Sequence, residues 1–518
     1  MSGLALDEAS VVPGPAVAYR GARVLVDDEA APRPAELLVR DGRIVRVAEP
    51  GGIRDAEETV DLDGLVVLPG FVDGHCHLEL TVQALEHHVP LHGHASLAEM
   101  LDVLAAARRA RPEGWIVGRG PFGLQRDVAE GRLPHRAELD RVSPTQPIVV
   151  LAGLHVACLN TAAMRELGLA DPDALPGWIT VHRDADGPTG VFTEVWDRLP
   201  TCTVEEAMAA LRAHAVPVFS RQGTTSLSTI STSADDVRAL HRLAQSGELP
   251  FRVRWFTHVP RTASLDEVLA WGPESGFGDE RLRFGGVKIF VDGEGGDGLG
   301  HARDDVKWAP EELARFVDRA DAAGVQLMMH AVTPRAIRLA CDAVIATRRE
   351  RPARVRHRIE HGGDYVDLAD LPRIAAAGVG LVATPHFATS SDADREGFQP
   401  LASLVAAGHR VIGATDSTGT VPDAVGPLAN IAGAAGRTGA DGGPSPERIP
   451  VRDAVRMFTS WAAEGVGEER EKGRIAPGLR ADLVVLDADP YSVAPDGIGG
   501  IGVERTIVGG RTVAERAR

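Results

Sequence analysis

Cysteine is scarce and scattered in this chain: Cys76, Cys158, Cys202 and Cys341 are the four among 518 residues. No two form a Cys-x-x-Cys pair, which argues against a disulfide framework and against a thiolate zinc site. Positive charge is in deficit as well. Lys and Arg total 55 against 73 Asp and Glu, a formal net charge of −18. A chain this acidic is not built to coat a phosphate backbone, and no basic cluster is present, so nucleic acid is not an expected partner. No stretch approaches the ~18 apolar residues of a membrane span, so no membrane partner is expected either. The segment Met1-Ser2-Gly3-Leu4-Ala5-Leu6-Asp7-Glu8 is acidic where a secretory leader is basic and then apolar. These absences lead to the expectation of a soluble cytoplasmic protein that handles a small molecule. There is no internal repeat, and no Gly-rich phosphate loop follows the first apolar strand, which weighs against an open dinucleotide-binding sheet.

What is present is a long α/β chain. Its length implies two or three domains, and its 44% hydrophobic and 25% charged residues are ordinary for a globular protein. Ala16–Tyr19, Arg23–Leu25, Glu36–Arg40 and Ile44–Val47 are β-prone, with Asp41-Gly42 as a tight turn. The far end has the same texture: Ala481–Asp487, then Val503–Val508 turning through Gly509-Gly510 into Arg511–Ala514. These segments predict one composite β-sandwich from residues 1–65 plus 474–518. Between them, residues 66–473 alternate strands and helices. The strands expected are Val66–Phe71, Thr224–Ser228, Phe251–Thr257, Gly286–Val291, Val325–Met329, Val355–Glu360, Val379–Thr384 and Arg410–Ala414. Glu311–Ala323 has a helical apolar face, and Thr203 with Glu206 forms a capping box. Eight strands alternating with helices fit a closed (β/α)8 TIM barrel. The interval from Phe71 to Thr224 is too long for a loop. It contains a helical stretch, Ser96–Ala110, and strand-like Gly114–Gly118, Pro147–Ala152 and Gly190–Phe192. It is read as an inserted α/β lobe, about residues 85–200, on the catalytic face.

Chemistry collects at the strand ends. His75-Cys76-His77 follows the apolar run Leu65–Val72, and two imidazoles two residues apart at a strand end point the same way. An isolated His-x-His is common by chance, so its weight comes from the other strands. Lys288 lies inside the fourth, His330 ends the fifth, His361 the sixth, Pro385-His386 the seventh and Asp416 the eighth. Barrel active sites sit at strand C-termini, and imidazole with carboxylate suits zinc and its neighbours. Each residue has an ordinary reading: a hydrogen-bonded core histidine, a snorkelling Lys288, or a helix cap at Asp416 through Ser417-Thr418. Their joint occurrence favours a metal centre. An ammonium buried beside cations is disfavoured, but a neutral lysine can take up carbon dioxide and become an anionic carbamate bridge. A two-metal site then becomes plausible, with His75, His77 and Asp416 on one ion and His330 and His361 on the other, ~3.5–4 Å apart. The water between such ions is acidic, and Asp416 is placed to pass its proton to the leaving nitrogen.

These residues resemble the amidohydrolase superfamily, specifically its YtcJ-like branch, amidohydrolase family 3. The resemblance rests on Pro69-Gly70-Phe71-Val72-Asp73-Gly74-His75-Cys76-His77, on Val287-Lys288-Ile289-Phe290-Val291-Asp292-Gly293, on Arg358-Ile359-Glu360-His361 and on Gly473–Asp487. In the lobe, Gly153-Leu154-His155 with Asn160, and Pro188–Glu194, look like that branch. The resemblance implies a barrel with a composite β-sandwich, a metal centre and hydrolysis of a C–N bond. It implies His75, His77, Lys288, His330, His361 and Asp416 as ligands, Asp416 also as proton shuttle, and a carbamate on Lys288. The expected cofactor is a divalent metal, two zinc ions with Mn, Fe or Co as substitutes, and a homodimer is the oligomer to consider. The surroundings depart from the branch at His330-Ala331-Val332, at Thr415-Asp416-Ser417, and in the glycine- and acid-rich loop Asp292–Gly300. Substrate identity is therefore not inherited.

His386 is a candidate to polarise the scissile carbonyl or hold substrate, with a hydrogen bond to a ligand as its alternative. His155 is a candidate substrate contact from the lobe, with a plain surface histidine as its alternative. Glu194, Trp115 and Phe122 read as structural, Cys76 as packing, and Glu360, by strand alternation, as facing away from the metal. The leading function is hydrolysis of an amide-type bond in an N-acyl or formamide substrate. A cyclic amide such as a hydantoin or lactam is second, and the lobe favours the first. A mononuclear deaminase would carry a Glu soon after His330 and lack Lys288. A non-catalytic scaffold would have lost ligands, and none is missing.

Overall fold

The computed structural model describes residues 14–26, 31–176, 179–195, 198–293, 306–389, 397–419, 426–439 and 442–517. The amino-terminal segment Met1–Glu8 and the loop residues 294–300 lie outside the described residues. The terminal β segments form as the turn chemistry dictates. Asp41 and Gly42 both take left-handed backbone, φ 50° and 73°, and join Glu36–Arg40 to Arg43–Ala48 as an antiparallel hairpin. Gly509 and Gly510, φ 58° and 73°, do the same for Val503–Val508 and Arg511–Glu515. Such turns match the twist of the strands they join. The first hairpin, with Val17–Arg20 and Glu58–Asp61, makes a four-stranded sheet. A six-stranded sheet combines Arg23–Val24, Arg33–Pro34 and Val66–Pro69 with Leu483–Leu486 and the second hairpin. Tyr19, Leu37, Ile44, Val67, Leu483 and Ile507 share the core between the two sheets.

Val66–Pro69 departs from the expected first barrel strand, Val66–Phe71. Residues 66–69 pair antiparallel with Leu483–Leu486 in the sandwich, and the barrel strand is Phe71–Cys76. Gly70 is the joint. Its N–H donates to Asp482 O at 2.9 Å, and a Cβ there would lie 2.3 Å from the Thr225 side chain, so only glycine passes.

Eight parallel strands form the barrel in spatial order equal to chain order: Phe71–Cys76, Thr224–Ser231, Arg252–His258, Leu282–Phe290, Gln326–His330, Arg358–Glu360, Gly380–Ala383 and Ile412–Gly413. This is a (β/α)8 barrel. Helices Ala234–Gln245, Leu265–Trp271, Pro310–Ala322, Pro334–Glu350, Leu371–Ala377 and Leu401–Ala406 separate strands two to eight. Outward residues such as Val287, Ile289, Leu327 and Met329 pack with Leu313, Val317, Ile337 and Ala340 of those helices. The seam between strands one and eight is closed above the last strand residues. Asp416 N–H donates to His75 O and His77 N–H donates to Ser417 O, each at 2.9 Å.

Between strands one and two the chain makes helix Leu78–His87, then a separate six-stranded sheet, then helix Val204–Val218. The helix opens on Thr203 with the expected reciprocal cap to Glu206. The extra sheet contains Val89–Pro90, Ile116–Gly120, Ile148–Ala152, Val156–Leu159, Gly187–Thr193 and Val181–Asp184. It buries its own apolar cluster around Leu104, Ile148 and Val150. Arg119 of this lobe donates to Gly153 O at 3.2 Å and to Thr418 O at 2.9 Å, which fastens the lobe to the loop after strand eight. No helix among the described residues is long and apolar enough to cross a membrane.

Candidate metal centre

The end of strand one is fixed before it offers any ligand. The buried Asp73 carboxylate accepts from His75 N–H at 3.2 Å, from Thr415 N–H at 3.0 Å and from Thr415 Oγ1 at 2.6 Å. It thereby ties strand one to strand eight, although burial pushes its carboxyl up to about 7. His75 Nδ1 lies 2.5 Å from Glu360 Oε2. Glu360 is gripped by Arg358 at 3.0 and 2.9 Å, and Arg358 also donates to Gly74 O at 2.6 Å. Arg358 and Glu360 are both 0% exposed. Burial alone would raise Glu360, but Arg358 and His75 hold it well below the usual carboxylate range. An ionised acceptor assigns the imidazole proton to Nδ1 and turns the Nε2 lone pair inward.

The other strand ends converge on the same point. His330 Nε2 lies 2.8 Å from Gly293 O, which assigns its proton to Nε2 and leaves the lone pair on Nδ1. His361 follows strand six in left-handed backbone, φ 64°, with Nδ1 3.6 Å from Asp364 and Nε2 4.0 Å from Asp416. Asp416, also left-handed at φ 47°, places Oδ1 3.4 Å from both His75 Nε2 and His77 Nε2. Ring centroids are 5.4 Å apart for His75 and His77, 5.4 Å for His75 and His361, and 4.9 Å for His330 and His361. One potential ligand atom each from His75, His361 and Asp416 lies within 4.8 Å of the others. Lys288 is 1% exposed, its Nζ lies 4.8 Å from the Phe290 ring centroid, and burial brings its ammonium down to about 8. Burial drives His75 down to about 3, with the Lys288 charge adding to it, and drives His330 well below its usual value. His75 and His330 are thus stable as neutral imidazoles.

This donor set fits a divalent metal. His75 Nε2 and Asp416 Oδ1 are buried without any hydrogen-bond partner, although both face the cluster. Lone pairs converging without a proton between them are unfavourable unless a cation sits among them. Imidazole with carboxylate is a ligand combination suited to zinc and its neighbours.

Among the remaining candidates, His155 is brought to the cluster. Its ring lies 5.7 Å from His330 and 6.2 Å from Phe290, and its Nδ1 lies 2.9 Å from Glu194 Oε1. His386 lies in the short turn Pro385–Thr389, half-buried, its backbone N–H donating to Asn430 Oδ1 at 3.0 Å. Its neighbour Phe387 stacks on His361 at 6.4 Å. The helix-cap alternative for Asp416 fails, because residues 417–419 are not helical. Cys76 packs among Leu78, Val82 and Leu227. Trp115 bonds Glu166 within the lobe at 2.7 Å, and Phe122 is 47% exposed.

Glu360 corrects the alternation argument. It faces the centre with Arg358, two residues back on the same strand face, and the left-handed turn at His361 brings the next side chain to that side as well. Two residues carry more than the sequence suggested. Glu194, read as structural, binds both His155 and Lys307. His258, which escaped notice because strand three runs one residue past Thr257, is buried in register with Lys288, its ring 5.3 Å from Phe290.

A model of the amidohydrolase family matches residues 58–514. The N-substituted formamide deformylase of Arthrobacter pascens is 28% identical over 93% of this chain and 95% of its own length. The putative amidohydrolase YtcJ of Bacillus subtilis is 26% identical over 94% of this chain and 97% of its own. Among solved structures, an uncharacterized metal-dependent hydrolase from Pyrococcus horikoshii superposes with a TM-score of 0.71 at 22% identity, covering 93% of this chain and 99% of that one.

Proposed function

The chain belongs to the amidohydrolase family and is a metal-dependent hydrolase of carbon–nitrogen bonds; from that premise we propose that it cleaves open-chain amides of the N-acyl type, formamides foremost. The observation that carries the reading is the convergence of imidazole and carboxylate donor atoms on a buried point beside Lys288. The match to a formamide deformylase along nearly the whole chain supports the substrate class.

His75, His77 and Asp416 would hold one ion and His330 and His361 a second, with Lys288 between them as a carbamate. Zinc is the first choice, with Mn, Fe or Co able to substitute. Bound there, divalent ions would polarise the substrate carbonyl and acidify water. The residues of the chain do the rest. Lys288 is depressed by burial, so its free amine is available to carbon dioxide near neutral pH. Asp416 takes a proton from water at a carboxylate oxygen and delivers it to the leaving nitrogen. Arg358 and Glu360 keep the His75 ring in the orientation that turns Nε2 inward. His155 contacts substrate from the lobe, and His386 holds it or polarises its carbonyl from the seventh strand. A homodimer in the cytoplasm belongs to the same reading.

The test is a panel of N-substituted formamides, longer N-acyl amines, hydantoins and lactams, with metal analysis of the same preparation. Formate and a free amine are the expected products, with near two ions per chain. Ring opening of a hydantoin or lactam without formate release would transfer the assignment to cyclic amides. Ammonia released from an aminated heterocycle by protein with one ion would replace it with a deaminase.

A further inference from the structure

We propose that Glu194 is a positioning residue for this hydrolysis: it ties the inserted lobe to the barrel and holds the His155 imidazole against the metal-centre histidine His330. The inference rests on the hydrolase reading above.

Glu194 directly follows the lobe strand Gly187–Thr193 and is 5% exposed. Its two carboxylate oxygens are divided between the two bodies. Oε1 takes His155 Nδ1 of the lobe at 2.9 Å, and Oε2 takes Lys307 Nζ, beyond the fourth barrel strand, at 3.0 Å. Its backbone N–H also donates to His155 O at 2.8 Å, so one residue holds His155 by main chain and side chain together. Its φ of 59° is left-handed, a conformation that a non-glycine residue keeps where its surroundings enforce it.

Both arms of the bridge end at the centre. His155 lies 5.7 Å from the His330 ring. Lys307 Nζ lies 5.5 Å from the Phe290 centroid, and that ring is 4.7 Å from His330 and 4.8 Å from Lys288 Nζ. A tether of the lobe alone would need no such address. Burial would raise the Glu194 carboxyl, yet His155 and Lys307 hold it at about 2. The carboxylate is therefore ionised near neutral pH, and charge-assisted hydrogen bonds fix an imidazole more firmly than neutral ones.

Glu194→Gln keeps the shape and removes the charge. In the full-length, metal-loaded enzyme it should lower kcat about 10- to 100-fold on whichever formamide the wild type cleaves, with KM much less affected. His155→Ala should lose a similar factor. The double variant should be no worse than His155→Ala, because both changes act through one imidazole. Hydrogen exchange followed by mass spectrometry should rise at residues 153–159 in Glu194→Gln and stay unchanged at residues 36–48 of the sandwich. Losses that multiply in the double variant, or wild-type protection at residues 153–159, would overturn the proposal. If the wild type is inert across the panel, the substrate reading falls, and the exchange experiment still decides this one.

Discussion

Replacing Arg358 by methionine would remove the arginine paired with Glu360 and leave a carboxylate with no solvent exposure. Breaking a buried ion pair from one side costs about 3–5 kcal/mol, because the survivor keeps its desolvation penalty. The Gly74 carbonyl also loses its donor, worth about 1 kcal/mol. The metal-free protein should therefore lose about 4–6 kcal/mol, read as a lowered urea midpoint. The double change Arg358→Met with Glu360→Gln leaves no charge at either position and still offers His75 Nδ1 a neutral acceptor. It should recover more than half of the loss. Glu360→Gln alone weakens the bond at His75 from charge-assisted to neutral, and a change of that kind typically lowers metal affinity about 10- to 100-fold. Competition with a chelator of known affinity would measure it. An Arg358→Met protein within about 1 kcal/mol of wild type, below the range for a broken buried pair, would refute the energetic argument. A Glu360→Gln protein with wild-type metal affinity would refute the claim that this pair orients His75.

Three further outcomes follow from the same geometry. Lys288→Met should reduce the metal content from near two ions per chain and abolish hydrolysis; elemental analysis and activity both unchanged would exclude Lys288 as the bridge. Gly74→Ala would put a methyl 2.4 Å from Ile412 Cγ2 and 2.7 Å from Gly413 O. Overpacking at the seam should destabilise by about 1–3 kcal/mol and disturb the adjacent His75, so an unchanged melting temperature would contradict the close approach. Glu194 is held at about 2 against an ordinary 4.5. A carboxyl depressed by folding stabilises fully above its unfolded value and loses that contribution as the pH falls, here from about pH 4.5 down toward 2. Glu194→Gln should flatten the wild-type decline of the urea midpoint in that window, and identical slopes for the two proteins would refute the assignment.

The parts of the fold that were legible in the sequence depend on local chemistry. Asp41-Gly42 and Gly509-Gly510 need left-handed backbone and have it, and Thr203 with Glu206 caps a helix without help from elsewhere. The break at Gly70 was not legible. Val66–Pro69 and Phe71–Cys76 are both buried throughout, so no change of periodicity marks the point where the chain leaves the sandwich for the barrel. The pairing of residues 66–69 with Leu483–Leu486 and the Thr225 side chain packed against Gly70 reveal it. His258 was missed for a simpler reason: a strand boundary drawn one residue short hides the side chain at its end.

The error at Glu360 has a more general cause. Alternation of side chains holds only while the backbone remains extended. Catalytic groups of a barrel sit just where it stops. His361 directly follows its strand in left-handed backbone, as Glu194 does in the lobe, and Asp416 takes the same conformation shortly beyond the strand Ile412–Gly413. Counting faces outward from His361 therefore assigned Glu360 to the wrong side. Counting from within the strand would have succeeded, because Arg358 and Glu360 share a face on either side of the apolar Ile359. Two opposite charges in a buried strand are stable only as partners, since neither can reach water. When such a pair directly precedes a strand-end histidine, the carboxylate lies within reach of strand ends elsewhere around the barrel mouth, and an imidazole N–H there is its natural third partner. Arg358-Ile359-Glu360-His361 thus encodes one of the proposed ligands, His361, and the orientation of another, His75, from a strand 285 positions away in the chain.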